Sequence, residues 1–258
     1  MRVIVTRPAA QADSWVDALG ELGVEAVALP LMRICAVPDN APVVEAWRQL
    51  AAHRLVFFVS ANAVAHFFEQ RPADAHWPAG VWAGSTGPGT TAALEACGLA
   101  ASQILAPSPD SAQFDSESLW QQRLCQIDWQ GATVQIVRGD GGRDWLADTL
   151  RDRGASVNFV AAYRRSEPEW DECARALLAE ALAQPAAHLW LFSSSEAIDN
   201  LTLHLGRAAQ PLLLPPGCRA MATHPRIASA AQRAGFSRVM QSRPGLSEVV
   251  ASLQSAAS

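Results

Sequence analysis

The chain of 258 residues contains no lysine: all 20 of its basic residues are arginine. That absence excludes Schiff-base catalysis, pyridoxal phosphate attachment and the P-loop lysine. Any anion here is met by guanidinium forks, backbone amides or hydroxyls. The five cysteines, Cys35, Cys97, Cys125, Cys173 and Cys218, are widely spaced with no C-x-x-C and read as small core residues of a reducing compartment. The six histidines, His53, His66, His76, His188, His204 and His224, never fall at i, i+4, and none adjoins a cysteine at ligand spacing. The sequence therefore offers no metal site. Long apolar runs are missing too; Leu55-Val56-Phe57-Phe58-Val59 falls far short of the ~18 residues of a membrane span. Met1-Arg2-Val3-Ile4-Val5 reads as a strand and not as a signal peptide, so we expect a cytoplasmic protein. A net charge of -5 argues against a nucleic-acid partner. Acidic dyads and a Gly-x-Ser-x-Gly elbow are absent, which leaves hydrolase chemistry unsupported.

With 50% hydrophobic and 17% charged residues, the chain can build a real core. At about 150 residues per domain its length allows one large domain or two small ones. Three ordered pairs of segments repeat. Val3 to Arg7, continuing to Gly23, matches Val134 to Arg138, continuing to Gly154, at offset 131. Phe57 to Val64 matches Leu191 to Ile198 at offset 134, and Ala83 to Gly98 matches Ala220 to Gly235 at offset 137. Each unit is a short apolar run, a polar turn and an amphipathic helix; Trp15, Ala18, Leu19 and Leu22 share one face before Gly23 ends the helix. Strand, turn and helix repeated in this way predict parallel sheets covered by helices.

Two extended stretches, Val27–Val37 and Val157–Arg165, interrupt this grammar and read as connections between two domains. The expected architecture is α/β: two doubly wound parallel-sheet domains joined by a two-stranded linker, from an internal duplication with an early crossover. The expected boundaries are 1–34 plus 167–258 for a discontinuous domain and 39–160 for an inserted one, with linkers at 35–38 and 161–166.

In open α/β sheets ligands bind outside the carboxyl ends of the strands. The candidates there are Thr6-Arg7-Pro8, Ser60-Ala61-Asn62, Thr86 to Thr91, Arg138 to Arg143, Ser193-Ser194-Ser195 and Thr223-His224-Pro225. Helix N-termini at such turns favour anions. Each turn taken alone also reads as an ordinary N-cap. Arg138-Gly139-Asp140-Gly141-Gly142-Arg143 is the most distinctive: glycines allow close backbone approach and two arginines flank them, but it is neither G-x-G-x-x-G nor a Walker loop. The stretch Pro107–Ser118 is a helix approach capped by Asp115 or Ser116, or a binding loop. Tyr163, the only tyrosine, is either an amphipathic residue of the connection or a proton donor.

Taken together, the turns resemble the uroporphyrinogen-III synthase family over nearly the whole chain. The resemblance rests on Thr6-Arg7-Pro8, Pro30-Leu31, Ser60-Ala61-Asn62-Ala63-Val64, Gly87-Pro88-Gly89-Thr90 with Ala92-Ala93-Leu94 and Gly98, Ser116-Glu117, Arg138-Gly139 with Gly142-Arg143, Leu150, Gly154, Tyr163-Arg164, and Phe192-Ser193-Ser194. It implies two α/β domains with the active site in the cleft between them. It implies a cofactor-independent, metal-free lyase that cyclises hydroxymethylbilane to uroporphyrinogen III, losing water and inverting ring D through a spiro intermediate. Tyr163 is the implied catalytic residue, aiding departure of the hydroxyl. Arg7, Ser60, Asn62, Thr90, Ser116, Arg138, Gly139, Ser193 and Ser194 are the implied substrate ligands. The implied partners are the bilane and, transiently, hydroxymethylbilane synthase, with a monomer as the default state and neither nucleic acid nor membrane involved. The chain departs from the family at Val59 and Ile227, where threonine is frequent; Thr86 and Thr223 lie one turn earlier. A non-catalytic two-lobed protein binding a small anion or a tetrapyrrole is the alternative, and a two-lobed glycosyltransferase is a third reading.

Overall fold

The computed structural model describes residues 1–207 and 213–257. The chain opens with β1 (Arg2–Val5), α1 (Ala9–Glu21) and β2 (Ala26–Ala28). It continues with β3 (Arg33–Ala36), α2 (Ala41–Arg48), β4 (Leu55–Phe58), α3 (Ala61–Glu69), β5 (Trp82–Ser85), α4 (Pro88–Ala96), β6 (Ile104–Leu105), α5 (Ser116–Gln122), β7 (Thr133–Gly139), α6 (Trp145–Asp152) and β8 (Ser156–Ser166). It closes with α7 (Glu172–Ala183), β9 (His188–Phe192), α8 (Ser195–Arg207), β10 (Arg219–Ala222), α9 (Pro225–Arg233), β11 (Arg238–Gln241) and α10 (Leu246–Ala257). Two compact units result: residues 1–33 with 166–258, and residues 34–165.

The first unit holds a sheet ordered β11-β10-β9-β1-β2, the second a sheet ordered β3-β8-β7-β4-β5-β6. The pairings β1·β2, β1·β9, β9·β10 and β10·β11 are parallel, as are β4·β5, β4·β7, β5·β6 and β7·β8. The stretch Val157–Arg165 that interrupts the strand–helix grammar is almost wholly β8, and Val27–Val37 holds β3 together with the end of β2.

The duplication holds residue by residue. Val3 pairs with Leu189 in the first unit, and Val134 pairs with Leu55 in the second. The offsets 131 and 134 carry one pairing into the other. Trp190 with Ala220 likewise matches Val56 with Ala83, and Val3 with Ala26 matches Val134 with Val157. The chain is thus a tandem repeat whose copies exchange strands. Each sheet takes two strands from one copy and three from the other, with β3 as a sixth strand at the edge of the second sheet, because the chain leaves after β2 and returns only after β8. A further match marks the same junction: Gln49-Leu50-Ala51-Ala52-His53 and Gln184-Pro185-Ala186-Ala187-His188. In both, the buried histidine Nδ1 lies 3.0 Å from the glutamine carbonyl four residues earlier, His53 just ahead of β4 and His188 at the start of β9.

Strand residues alternate between two cores, as burial on both faces requires. In the first unit Val3 and Val5 pack with Leu19 of α1 and Val249 of α10, whereas Ile4 packs with Ile198 of α8 and Ile227 of α9. In the second, Leu55 and Phe57 pack with Leu119 of α5 and Leu150 of α6, whereas Val56 and Phe58 pack with Trp47 of α2, Phe67 of α3 and Leu94 of α4. Among the described residues no helix is long and apolar enough to cross a membrane.

The exchange predicts which pieces fold. Residues 34–165 contain every strand of their sheet and should unfold cooperatively in urea when expressed alone. Residues 1–129 separate β1 from β9 and β4 from β7, and should give no cooperative transition. Circular dichroism across a urea series measures both.

Candidate functional site

Polar side chains gather at the carboxyl ends of the strands, and the most complete set lies in the second unit. Ser60 follows β4 and caps α3: its Oγ accepts the Ala63 N–H at 3.1 Å. The same Oγ lies 3.2 Å from the Tyr163 hydroxyl. Tyr163 sits on β8, with β7 between it and β4. Its ring spans that strand because residue 139 has no side chain: a Cβ on Gly139 would stand 3.0–3.1 Å from Tyr163 ring carbons.

A second feature aims the ring. Arg138 pairs with Ala161, but Gly139 pairs with Tyr163, so Ala162 is the extra residue of a β-bulge. Val157 and Phe159 face the core of α5 and α6, and strict alternation would send Tyr163 there also. The bulge turns it to the opposite core, with Val160 and Ala162, against α3. There it is only 4% exposed and stacks on His66, ring centroids 6.0 Å apart, while His66 Nδ1 bonds Glu69 at 2.8 Å.

The neighbouring turn after β5 is a hydroxyl cluster. Ser85 Oγ donates to the Gly87 carbonyl at 3.0 Å, and Thr86 and Thr90 hydroxyls lie 3.2 Å apart. Thr86 Oγ1 also reaches the Val59 carbonyl. Thr90 is buried at 5% and faces this cluster. Gly87 packs against Phe114 too closely for a Cβ, which would lie 2.8 Å from the Phe114 Cβ.

The glycine-rich hexamer is a braced turn. Arg138 pairs with Asp144 and lies over the Phe159 ring at 3.8 Å. Arg143 pairs with Glu117, and Arg165 donates to the Gly141 carbonyl at 3.0 Å. One nitrogen of the Arg138 guanidinium, implied as a substrate ligand, is therefore held by Asp144. Asp144 consequently stands at the N-cap of α6 without making a side-chain cap bond. At α5 it is Asp115 that caps, accepting the Ser118 N–H at 2.9 Å, while Ser116 donates to Glu117 at 3.0 Å. Asn62 lies partly buried in the first turn of α3.

In the first unit Thr6 donates its hydroxyl to the Leu191 carbonyl at 2.7 Å. Ser194 accepts the Glu196 N–H at 3.2 Å, and Ser193 beside it is partly exposed. Arg7 lies over Trp15 at 4.2 Å. His224 Nδ1 accepts the Arg226 N–H at 3.1 Å and caps α9, whose Ile227 is buried in the core. Among the described residues no group of three His, Cys, Asp or Glu side chains is placed to hold a metal ion. Sequence reasoning missed His66, Asp144 and Glu117; the i, i+3 spacing of His66 and Glu69 was the one signal available.

The fold and the strand-end turns define a duplicated α/β protein, in whose second unit a capping serine meets a buried phenol. A family model described as "Uroporphyrinogen-III synthase HemD" matches residues 13–251. The uroporphyrinogen-III synthase of Salmonella typhimurium is 30% identical over 178 residues, 69% of this chain and 70% of that one. That of Escherichia coli is 29% identical over the same length. Among solved structures, a mutant uroporphyrinogen III synthase from Thermus thermophilus superimposes with a TM-score of 0.63 at 18% identity, covering 100% of this chain and 98% of that one. The Helicobacter pylori enzyme gives a TM-score of 0.57 at 14% identity. The chain belongs to the uroporphyrinogen-III synthase family, lyases of haem biosynthesis.

Because Tyr163 is the only tyrosine, ring-labelled tyrosine gives one set of NMR signals. Gly139→Ala should shift that set and cost about 1–3 kcal/mol by overpacking. An unshifted signal would mean that the ring does not lie over residue 139.

Proposed function

We propose that the protein dehydrates and cyclises hydroxymethylbilane, inverting ring D, to give uroporphyrinogen III. The reading rests on the family match across residues 13–251. The substrate carries eight carboxylates and the chain a net charge of -5, so binding depends on local donors and not on the overall field. Exposed N–H groups, that of Ser116 included, and the hydroxyls of Ser60, Ser193 and Ser194, with the Asn62 amide, are the donors we assign to the substrate. Thr90 supports Thr86 from within the turn, and Gly139 makes room for the phenol. The bilane's producer, hydroxymethylbilane synthase, is the transient partner of this reading, in the cytoplasm, with the protein acting as a monomer.

The Ser60–Tyr163 pair supplies a proton route. A hydroxyl has one donor and two acceptor sites. Ser60 Oγ already accepts the Ala63 N–H and lies 3.2 Å from the Tyr163 hydroxyl; in our reading the phenol is the donor of that pair, which leaves the serine proton free to point outward. Ser60 is partly exposed and Tyr163 is buried, so the bilane meets Ser60 first. The departing hydroxyl takes the Ser60 proton, Tyr163 replenishes Ser60, and water leaves. The cation left on ring A is attacked by the substituted α-carbon of ring D, giving the spiro intermediate. Cleavage of the bond joining rings C and D and reclosure through the other α-carbon invert the ring. The proton lost from that carbon returns to the phenolate, and the net change is one water. The remaining contribution of the protein is positioning.

Two measurements test this reading. Bilane generated in situ closes to the type I isomer without an enzyme; with this protein the oxidised, separated products should be type III. Type I alone from folded protein would leave the binding-protein alternative. Tyr163→Phe should lower kcat by about 10²-fold or more, with a stability loss near 1 kcal/mol for the lost hydrogen bond. Wild-type turnover in that variant would remove the phenol from the proton route.

A further inference from the structure

We infer that Arg7 is the seat of one substrate carboxylate and that its repeat equivalent, Arg138, is not: the duplication has left one cation open and closed the other. This inference rests on the synthase reading. The two arginines are related by the offset of 131, one just after β1 and the other near the end of β7. Both guanidiniums stack on an aromatic ring, Arg7 on Trp15 at 4.2 Å and Arg138 on Phe159 at 3.8 Å. Their counterions differ. Arg138 is neutralised by Asp144. The residue equivalent to Asp144 in the first copy is Asp13, which is exposed on α1 and forms no ion pair with Arg7.

Among the described residues Arg7 has a ring and no anion. Its Nε is sealed from solvent with no hydrogen-bond partner. Burial alone brings its pKa down to about 10, with no carboxylate opposing the shift. It remains charged at neutral pH, and an uncompensated, desolvated cation destabilises the fold that carries it. Arg7 as a residue stays partly exposed, just past the carboxyl end of an interior strand, where open α/β sheets take their ligands. A carboxylate there would meet the donors of the guanidinium fork and supply the missing charge. Arg138, with the same ring stacking but its own acid, braces the turn after β7.

The opposite stability signs of the two roles make them separable. Arg7→Met keeps an apolar stem on Trp15 and removes the unpaired charge; Arg138→Met orphans Asp144. For Arg7→Met we expect a Tm equal to or above wild type, a KM for the bilane raised about tenfold or more, and type III product still formed. For Arg138→Met we expect a lowered Tm and a KM within about threefold of wild type. An unchanged KM in Arg7→Met, or a lowered Tm, overturns the inference. If the wild-type protein makes only type I isomer, the synthase reading fails independently of Arg7. Uroporphyrin III, the air-stable oxidised octacarboxylate, then decides: protection of the wild type against thermal unfolding that is lost in Arg7→Met supports the seat, and equal or absent protection overturns it.

Discussion

The candidate site depends on residue 139 carrying no side chain. Tyr163 reaches the cap of α3 only by laying its ring across β7, and ring carbons approach to where any Cβ on that strand would stand. The bulge at Ala162 is the second half of the constraint, since it moves the ring from one face of the sheet to the other. With both in place, the phenol meets a serine oxygen that is already fixed by the first turn of a helix. A flexible side chain on a surface loop would lose rotamer freedom to reach the same geometry. Here the pairing of three strands and one cap holds it in advance.

Those three strands come from both copies of an internal duplication. β4 belongs to the first copy and β7 and β8 to the second, so the pair Ser60 and Tyr163 exists only because the copies exchange strands. The same exchange in the first unit pairs β1 with β9 and places Arg7 beside the turn of Ser193 and Ser194. The two sheets retain one register, yet their strand ends have diverged. The second unit holds the phenol and a turn braced by Arg138–Asp144 and Arg143–Glu117. In the first, the equivalent arginine has no acidic partner. Shared backbone with differing side chains lets one ancestral unit supply two kinds of binding group.

Much of this was legible in the sequence. The offsets of 131, 134 and 137 already mark the repeated strand–turn–helix unit, because periodic apolar runs and glycine stops are local signals. Tyr163, Ser60 and the strand-end turns were visible as residue types in the right places. The bulge was not, since a single inserted residue leaves no mark on composition. Gly139 could be named, but its role as empty space depends on which strand lies beside it. Arg138 and Arg7 look alike in sequence; only the position of Asp144 against Asp13 distinguishes them. The Gln-x-x-x-His repeat before β4 and β9 was available and overlooked, because a helix end, unlike a strand, has no strong apolar period.

The central claim is that Tyr163 acts on the reaction through Ser60 and not beside it. A double-mutant cycle on kcat with Ser60→Ala, Tyr163→Phe and the pair measures this directly. A relay predicts that the double variant is about as slow as the slower single one, a coupling on the order of 1–3 kcal/mol. Losses that simply multiply, with no coupling, would contradict the account and make the two hydroxyls independent groups.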